Sequence, residues 1–144
     1  MTTEENKAIG SRIIEEVWNK GDLAAVDELV SPNHIYHFPG REDIKGPEGL
    51  KQFATMARTA FPDLHITIDD MIAEGDKVAC RFTWRGTHKG EMMGIAPTGK
   101  QVTVTGIVIS HFVGGKEVEV WESTDSLGMF QQLGVVPPMG PGGG

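Results

Sequence analysis

Cysteine is nearly absent: Cys80 is the one thiol in 144 residues. It cannot close an internal disulfide or furnish a thiolate zinc site, and it fits a reducing, cytoplasmic setting. Long apolar runs are missing as well. Glu15, Glu16, Lys20 and Asp22 interrupt the opening segment, which excludes a signal peptide there. No stretch approaches the ~20 apolar residues that span a bilayer, so no membrane partner is expected. Nor is there a Lys/Arg run. With 20 acidic against 13 basic residues the formal charge is -7, which repels a phosphate backbone and excludes nucleic acid as a partner. Neither a G-x-S-x-G elbow nor a G-x-G-x-x-G or Walker loop is present, so no serine nucleophile and no nucleotide cofactor is expected.

What remains is the composition of one globular domain, 39% apolar and 23% charged, long enough to bury a core without staples. Ile9, Ile13 and Val17, widened by Ile14 and Trp18, form the apolar stripe of an amphipathic first helix. Thr2 or Thr3 can cap it and Gly21 can stop it. Asp22 caps a short second helix over Leu23 to Val30. A third starts at Pro47 and carries Leu50, Phe53, Ala54 and Ala57 until Pro62.

The pattern then switches to strands. His65 to Ile68 alternates, and Glu74-Gly75-Asp76 turns the chain into a run from Lys77 to Lys89. Val102, Val104, Gly106 and Val108 alternate with Thr103, Thr105, Ile107 and Ile109. Gly114-Gly115 makes a two-residue hairpin loop into the last strand, Glu117 to Ser123. A helix with Leu127, Phe130 and Leu133 follows Asp125. The expected domain is residues 1–136, with 137–144 a disordered Pro/Gly tail. Helices followed by antiparallel strands give an α+β fold with helices on one sheet face. Bending at Gly86 and Gly106 would curl that sheet into a cone with an apolar interior.

Chemistry can sit in that interior. On the last strand Val118, Val120 and Glu122 share one face, while Glu117, Glu119 and Trp121 share the other. If the valines point inward, so does Glu122, and a desolvated carboxyl has a raised pKa suited to general acid/base work. At a strand's end it would equally suit a solvated rim. His37, and His88 on the Phe82/Trp84 face, are candidates to hydrogen-bond a substrate oxygen or to rest as satisfied polar groups. Only His88 and Glu91 could complete a ligand set with His34 and His37, so no metal is expected. Trp18, Tyr36, Phe53, Met56, Phe61, Trp84, Met92, Val108 and Val120 are the expected lining, a set that plain core packing would also use. Ile107, Ile109 and Trp121 fall on the outer face of the sheet, an apolar patch suited to a homodimer contact.

Several of these segments resemble, in order, the SnoaL-like polyketide cyclase family. They are Val17-Trp18-Asn19-Lys20-Gly21-Asp22, His37 before Pro39, Ala60-Phe61-Pro62-Asp63, Gly75-Asp76, Gly86-Thr87-His88-Lys89-Gly90-Glu91, Pro97-Thr98-Gly99, Trp121-Glu122 and Asp125-Ser126-Leu127-Gly128. The resemblance runs from about residue 6 to 136. It implies the cone-shaped α+β fold shared with nuclear transport factor 2 and the ketosteroid isomerases, in a dimer or tetramer, with a pocket that uses neither cofactor nor metal. It further implies ring closure of a polyketide ester by an intramolecular aldol reaction, with Glu122 in the place of the inward carboxylate that relatives commonly supply as aspartate. His37, His88 or Tyr36 would then steady the oxyanion. Val120 replaces a frequent histidine and Val108 a frequent polar residue, which makes this pocket more apolar. A ketosteroid-isomerase-like proton shuttle and a non-catalytic protein for an apolar ligand are the alternative readings.

Overall fold

The computed structural model describes residues 1–137; the tail expected to be disordered lies, beyond Pro137, outside the described residues. The chain opens with α1 (Thr3–Arg12), started by a reciprocal cap in which Thr2 Oγ1 accepts from Glu5 N–H and Glu5 accepts from Thr2 N–H. The same rod widens into a π-helical segment over Ile13–Asn19, closed by a bond from Lys20 N–H to the Glu15 carbonyl at 3.1 Å. The wider turn buries Ile13 and Val17 and sets Ile14 and Trp18 against the interior. After Gly21, at φ +70°, Asp22 Oδ1 accepts from Ala24 N–H and opens α2 (Ala24–Leu29).

Here the structure departs from the sequence reading. The chain leaves α2 at Leu29, and Val30–His37 is a strand, β1, paired with a two-residue strand β2 (Ile44–Lys45). Pro32 and Asn33 resemble a loop in sequence. They are accommodated because the pairing of β1 with the last strand of the chain, Lys116–Thr124, is irregular between Val30 and Ile35, where a missing N–H breaks no ladder. Then come α3 (Gly46–Ala60), β3 (His65–Glu74), β4 (Lys77–Thr87), β5 (Gln101–Val113), β6 (Lys116–Thr124) and α4 (Ser126–Leu133). The sheet therefore has six strands rather than four, in the order β2-β1-β6-β5-β4-β3. All pairs are antiparallel except β1 with β6.

This is an α+β fold with a curved, unclosed sheet, and α1 and α3 pack across its inner face. The curl needs room where strands fold over one another: a Cβ on Gly106 would lie 2.6 Å from the Phe82 ring and 3.0 Å from the Ser123 carbonyl. Both residues of the Gly114-Gly115 turn have positive φ, as a tight hairpin requires. Two apolar clusters result. One gathers Val17, Val26, Leu50, Val78, Phe112 and Val120, and the other Phe61, Leu64, Val102, Val104, Met129 and Leu133; Trp18 packs against both. On α4, which Asp125 caps by accepting from Gly128 N–H, the buried residues are Met129 and Leu133, whereas Leu127, two residues before Met129, falls on the opposite face and is exposed.

Among the described residues no helix is long and apolar enough to cross a membrane.

Candidate active site

Between the helices and the inner face of the sheet lies a cavity of about 600 Å³. Its walls follow from strand alternation. Val78, Cys80, Phe82 and Trp84 come from β4, and Val104 and Val108 from β5. Across β6, Val108 is the partner of Glu122 and Ser110 the partner of Val120, so all four face the same space. Ile13, Ile14 and Trp18 close it from the first helical rod, and Leu50, Phe53 and Met56 close it from α3. Trp18, Tyr36, Phe53, Met56, Phe61, Trp84, Met92, Val108 and Val120 all stand on the wall. Phe53 is its aromatic hub. Trp18, Tyr36 and Phe38 meet it edge-on at centroid distances of 5.3, 5.4 and 5.7 Å. The Arg41 guanidinium covers its ring at 4.9 Å.

Glu122 is the carboxyl that this wall surrounds. Its place is set by two neighbours: Val108 on β5 and Tyr36 on β1, whose register partner is Val120. The Tyr36 hydroxyl donates to Glu122 Oε1. Desolvation raises the Glu122 pKa to about 7, against the opposing pull of the Tyr36 hydrogen bond. Tyr36 is itself buried, and burial together with the Glu122 charge holds its phenol well above the ordinary tyrosine range. The pair is thus a proton-exchanging carboxyl held by a phenol that stays protonated. Cys80 also touches the cavity, but burial and the charges of Asp69 and Asp70 push its thiol up to about 11, so it offers no thiolate near neutrality.

The two histidines expected beside Glu122 are elsewhere. His37 follows Tyr36 on β1, and neighbouring strand residues point to opposite faces, so its ring lies outside the cavity. There Nε2 is 2.6 Å from Glu119, Nδ1 is 2.8 Å from Asp43, and the ring stacks on Trp121. His88 is fully buried but lies beyond the cavity wall, against Phe61. Its Nδ1 accepts from Thr98 N–H at 3.2 Å, and its backbone bonds to Lys100 and Gly99 close the 88–100 loop. Neither ring reaches the carboxyl.

Regular alternation also misplaces Glu117. Val118 is an extra residue in β6, between the pairs His111–Glu119 and Phe112–Glu117. This bulge turns Glu117 inward onto the cavity wall, where its Oε1 lies 2.8 Å from Nε2 of the buried His34. Nothing in the residue pattern marks the bulge, so Glu117 reads as outward, and His34, singled out beside His37 in the sequence, had no visible link to it. Ser110 and Thr124 add polar groups to the wall, and Arg41 is an exposed cation at the rim.

Residues 9–133 match the family model described as SnoaL-like polyketide cyclase. The aklanonic acid methyl ester cyclase AcmA of Streptomyces galilaeus is 29% identical over 127 residues, covering 85% of this chain and 87% of that protein. The solved structure of IdmH from Streptomyces antibioticus is 33% identical, with a TM-score of 0.79, covering 90% of this chain and 99% of IdmH. A protein of ketosteroid isomerase-like fold from Catenulispora acidiphila, solved with trimethylamine, is 16% identical with a TM-score of 0.76 over 89% of this chain and 93% of its own. That last likeness is one of fold alone.

Proposed function

The chain belongs to the SnoaL-like polyketide cyclase family, and on that footing we propose that it closes a ring in an apolar keto ester by an intramolecular aldol reaction, with Glu122 as the proton carrier. The observation that carries this reading is the Glu122 carboxyl, set in an apolar cavity and held by the Tyr36 hydroxyl. An aldol closure needs a base and then an acid, and a carboxyl with a pKa of about 7 is available in both forms near neutral pH.

The steps balance on one proton. The Glu122 carboxylate takes a proton from the carbon alpha to the ester carbonyl. The resulting enolate carbon attacks the ketone carbon of the same molecule, forming the ring bond while the carbonyl π pair moves to oxygen. That alkoxide takes back the proton from the Glu122 carboxyl, and the product is an isomer of the substrate. Tyr36 orients the carboxyl throughout, and Arg41 at the rim is a cation toward which ester oxygens can turn. The wall, made of Phe53, Trp84, Val104 and Val108, excludes water that would compete for the enolate.

Steady-state ring closure on a keto methyl ester of the class named for AcmA tests the proposal, followed by chromatography and NMR of the isomeric product. Glu122→Gln keeps shape and hydrogen bonding but cannot accept the proton, and a loss of about 10²–10⁴ in rate with binding retained is expected. Wild-type binding without turnover would instead favour a ligand carrier, and an unchanged Glu122→Gln rate would remove the carboxyl from the mechanism.

A homodimer through the outer sheet face belongs to the same proposal. Ile107, Ile109 and Trp121 are 52%, 41% and 39% exposed there, and Ile109 pairs directly with Trp121. The lone buried Cys80 supports a cytoplasmic setting.

A further inference from the structure

Two backbone irregularities meet at one point of the sheet. The parallel β1–β6 register slips between Val30 and Ile35, and the β6 bulge lies at Val118. Without the bulge Glu117 would share the outer face with Glu119 and Trp121; with it, Glu117 faces the cavity and is only 4% exposed. His34, with no exposed surface, meets it from the slipped part of β1. A carboxylate withdrawn into a cavity wall that also holds Ile13, Val78 and Val120 is costly unless its lone pairs are engaged. His34 Nε2 engages Oε1, and this is the only hydrogen bond of the Glu117 side chain among the described residues. His34 Nδ1 has no partner among the described residues.

The aldol scheme does not use this pair. Glu117 stands five residues from Glu122 on β6, one of them the bulge, which is roughly 13–16 Å of strand at ~3.3 Å per residue. Between them Ser110, 7% exposed, faces the same space opposite Val120. The cavity therefore carries polar groups in a row along an apolar wall, ending on an acceptor more deeply buried than Glu122.

We propose that Glu117, positioned by His34, is a second binding station that accepts a hydrogen bond from a hydroxyl at the end of the substrate remote from the carbon that Glu122 deprotonates. This rests on the cavity being the substrate site, as the cyclase reading holds, and it narrows the substrate to an elongated apolar carbonyl compound hydroxylated at its far end. A hydroxyl satisfies the free carboxylate oxygen. An ether oxygen would face it lone pair to lone pair, and an ammonium would carry its own large desolvation cost into the cavity.

The test is calorimetric binding of 2-naphthol and its methyl ether, 2-methoxynaphthalene, to the full chain. Wild type is expected to bind the naphthol about tenfold more tightly, the yield of one hydrogen bond to a charged acceptor. The double variant His34→Leu/Glu117→Leu replaces the pair with apolar groups; it should keep its affinity for the ether and lose the preference. Glu117→Gln, which leaves a weaker neutral acceptor, should reduce the preference and serves if the double variant does not fold. Glu122→Gln should retain it. Equal affinities in wild type, or a preference that survives in the Glu117 variants and disappears in Glu122→Gln, would overturn the station. A wild-type protein that closes no ring yet keeps a Glu117-dependent preference contradicts the cyclase reading and supports the station.

Discussion

The Tyr36 hydroxyl donates to Glu122 Oε1 across the parallel β1–β6 pair, in which Tyr36 is in register with Val120, two residues before the carboxyl. That bond is the one influence drawing the Glu122 pKa down while burial drives it up. In Tyr36→Phe only burial remains, so the carboxyl should hold its proton to higher pH. The acid limb of the kcat/KM profile for ring closure should therefore move upward from about 7, and the rate at neutral pH should fall. A limb that stays in place or moves down would show that another group sets the profile.

Stability should respond to pH through the same carboxyl. Its folded pKa of about 7 exceeds the ordinary value of 4.5, so between these limits the native state binds a proton that the unfolded chain has released. Stability contributed by the protonated form is complete below 4.5 and is lost as pH rises through 7. The loss amounts to about 3 kcal/mol at 1.36 kcal/mol per pKa unit. Glu122→Gln has nothing to ionise at this position, and its Tm should exceed that of wild type by a margin that grows between pH 5 and 8. Parallel Tm curves for the two proteins would mean that the carboxyl is hydrated.

His37 predicts the opposite pairing of effects. Hydrogen bonds to Glu119 and then Asp43 raise its pKa, and its ring lies on the outer face. The stability it contributes is present below the ordinary histidine range and disappears as pH rises through the raised value. His37→Gln should accordingly lower Tm at about pH 6 and make no difference in alkaline solution. Turnover should remain within about threefold of wild type, since a partly exposed ion pair contributes little and the ring never reaches Glu122. A loss comparable to that of Glu122→Gln would return His37 to the catalytic group.

The outer face supplies a test of assembly. Ile109→Asp puts a charge beside Trp121 at the centre of the exposed apolar patch. Sedimentation velocity should give a dimer for wild type and a monomer for the variant, with circular dichroism unchanged. A wild-type monomer, or a dimer that tolerates the aspartate, would place the contact elsewhere or dispense with it.

Near-neighbour pattern was enough to find Glu122. Alternation along β6 from Val120 put it inward, and the same rule applied to β4 and β5 identified Trp84 and Val108 on the wall. Helix periodicity likewise brought Ile13, Val17 and Trp18 to the interior. The rule fails where spacing stops being regular. Val118 reverses the face of Glu117, and the strand that carries His34, Tyr36 and His37 runs through a Pro-Asn pair that reads as a loop. The β1–β6 pair joins residues more than eighty positions apart, and no local propensity records such a partner.

Sequence by itself determined the class of fold, the apolar character of the interior, the absence of a second thiol and the carboxylate at the end of the last long strand. These depend on residue type and on periods of 2 and 3.6, which neighbouring residues impose on one another. Tertiary structure alone decided which polar groups meet: Tyr36 on Glu122, His34 on Glu117, and His37 turned away to Glu119 and Asp43. Those meetings depend on strand register and on a single bulge. Both are fixed only when distant segments pair, and a shift of one residue exchanges every inward side chain for an outward one.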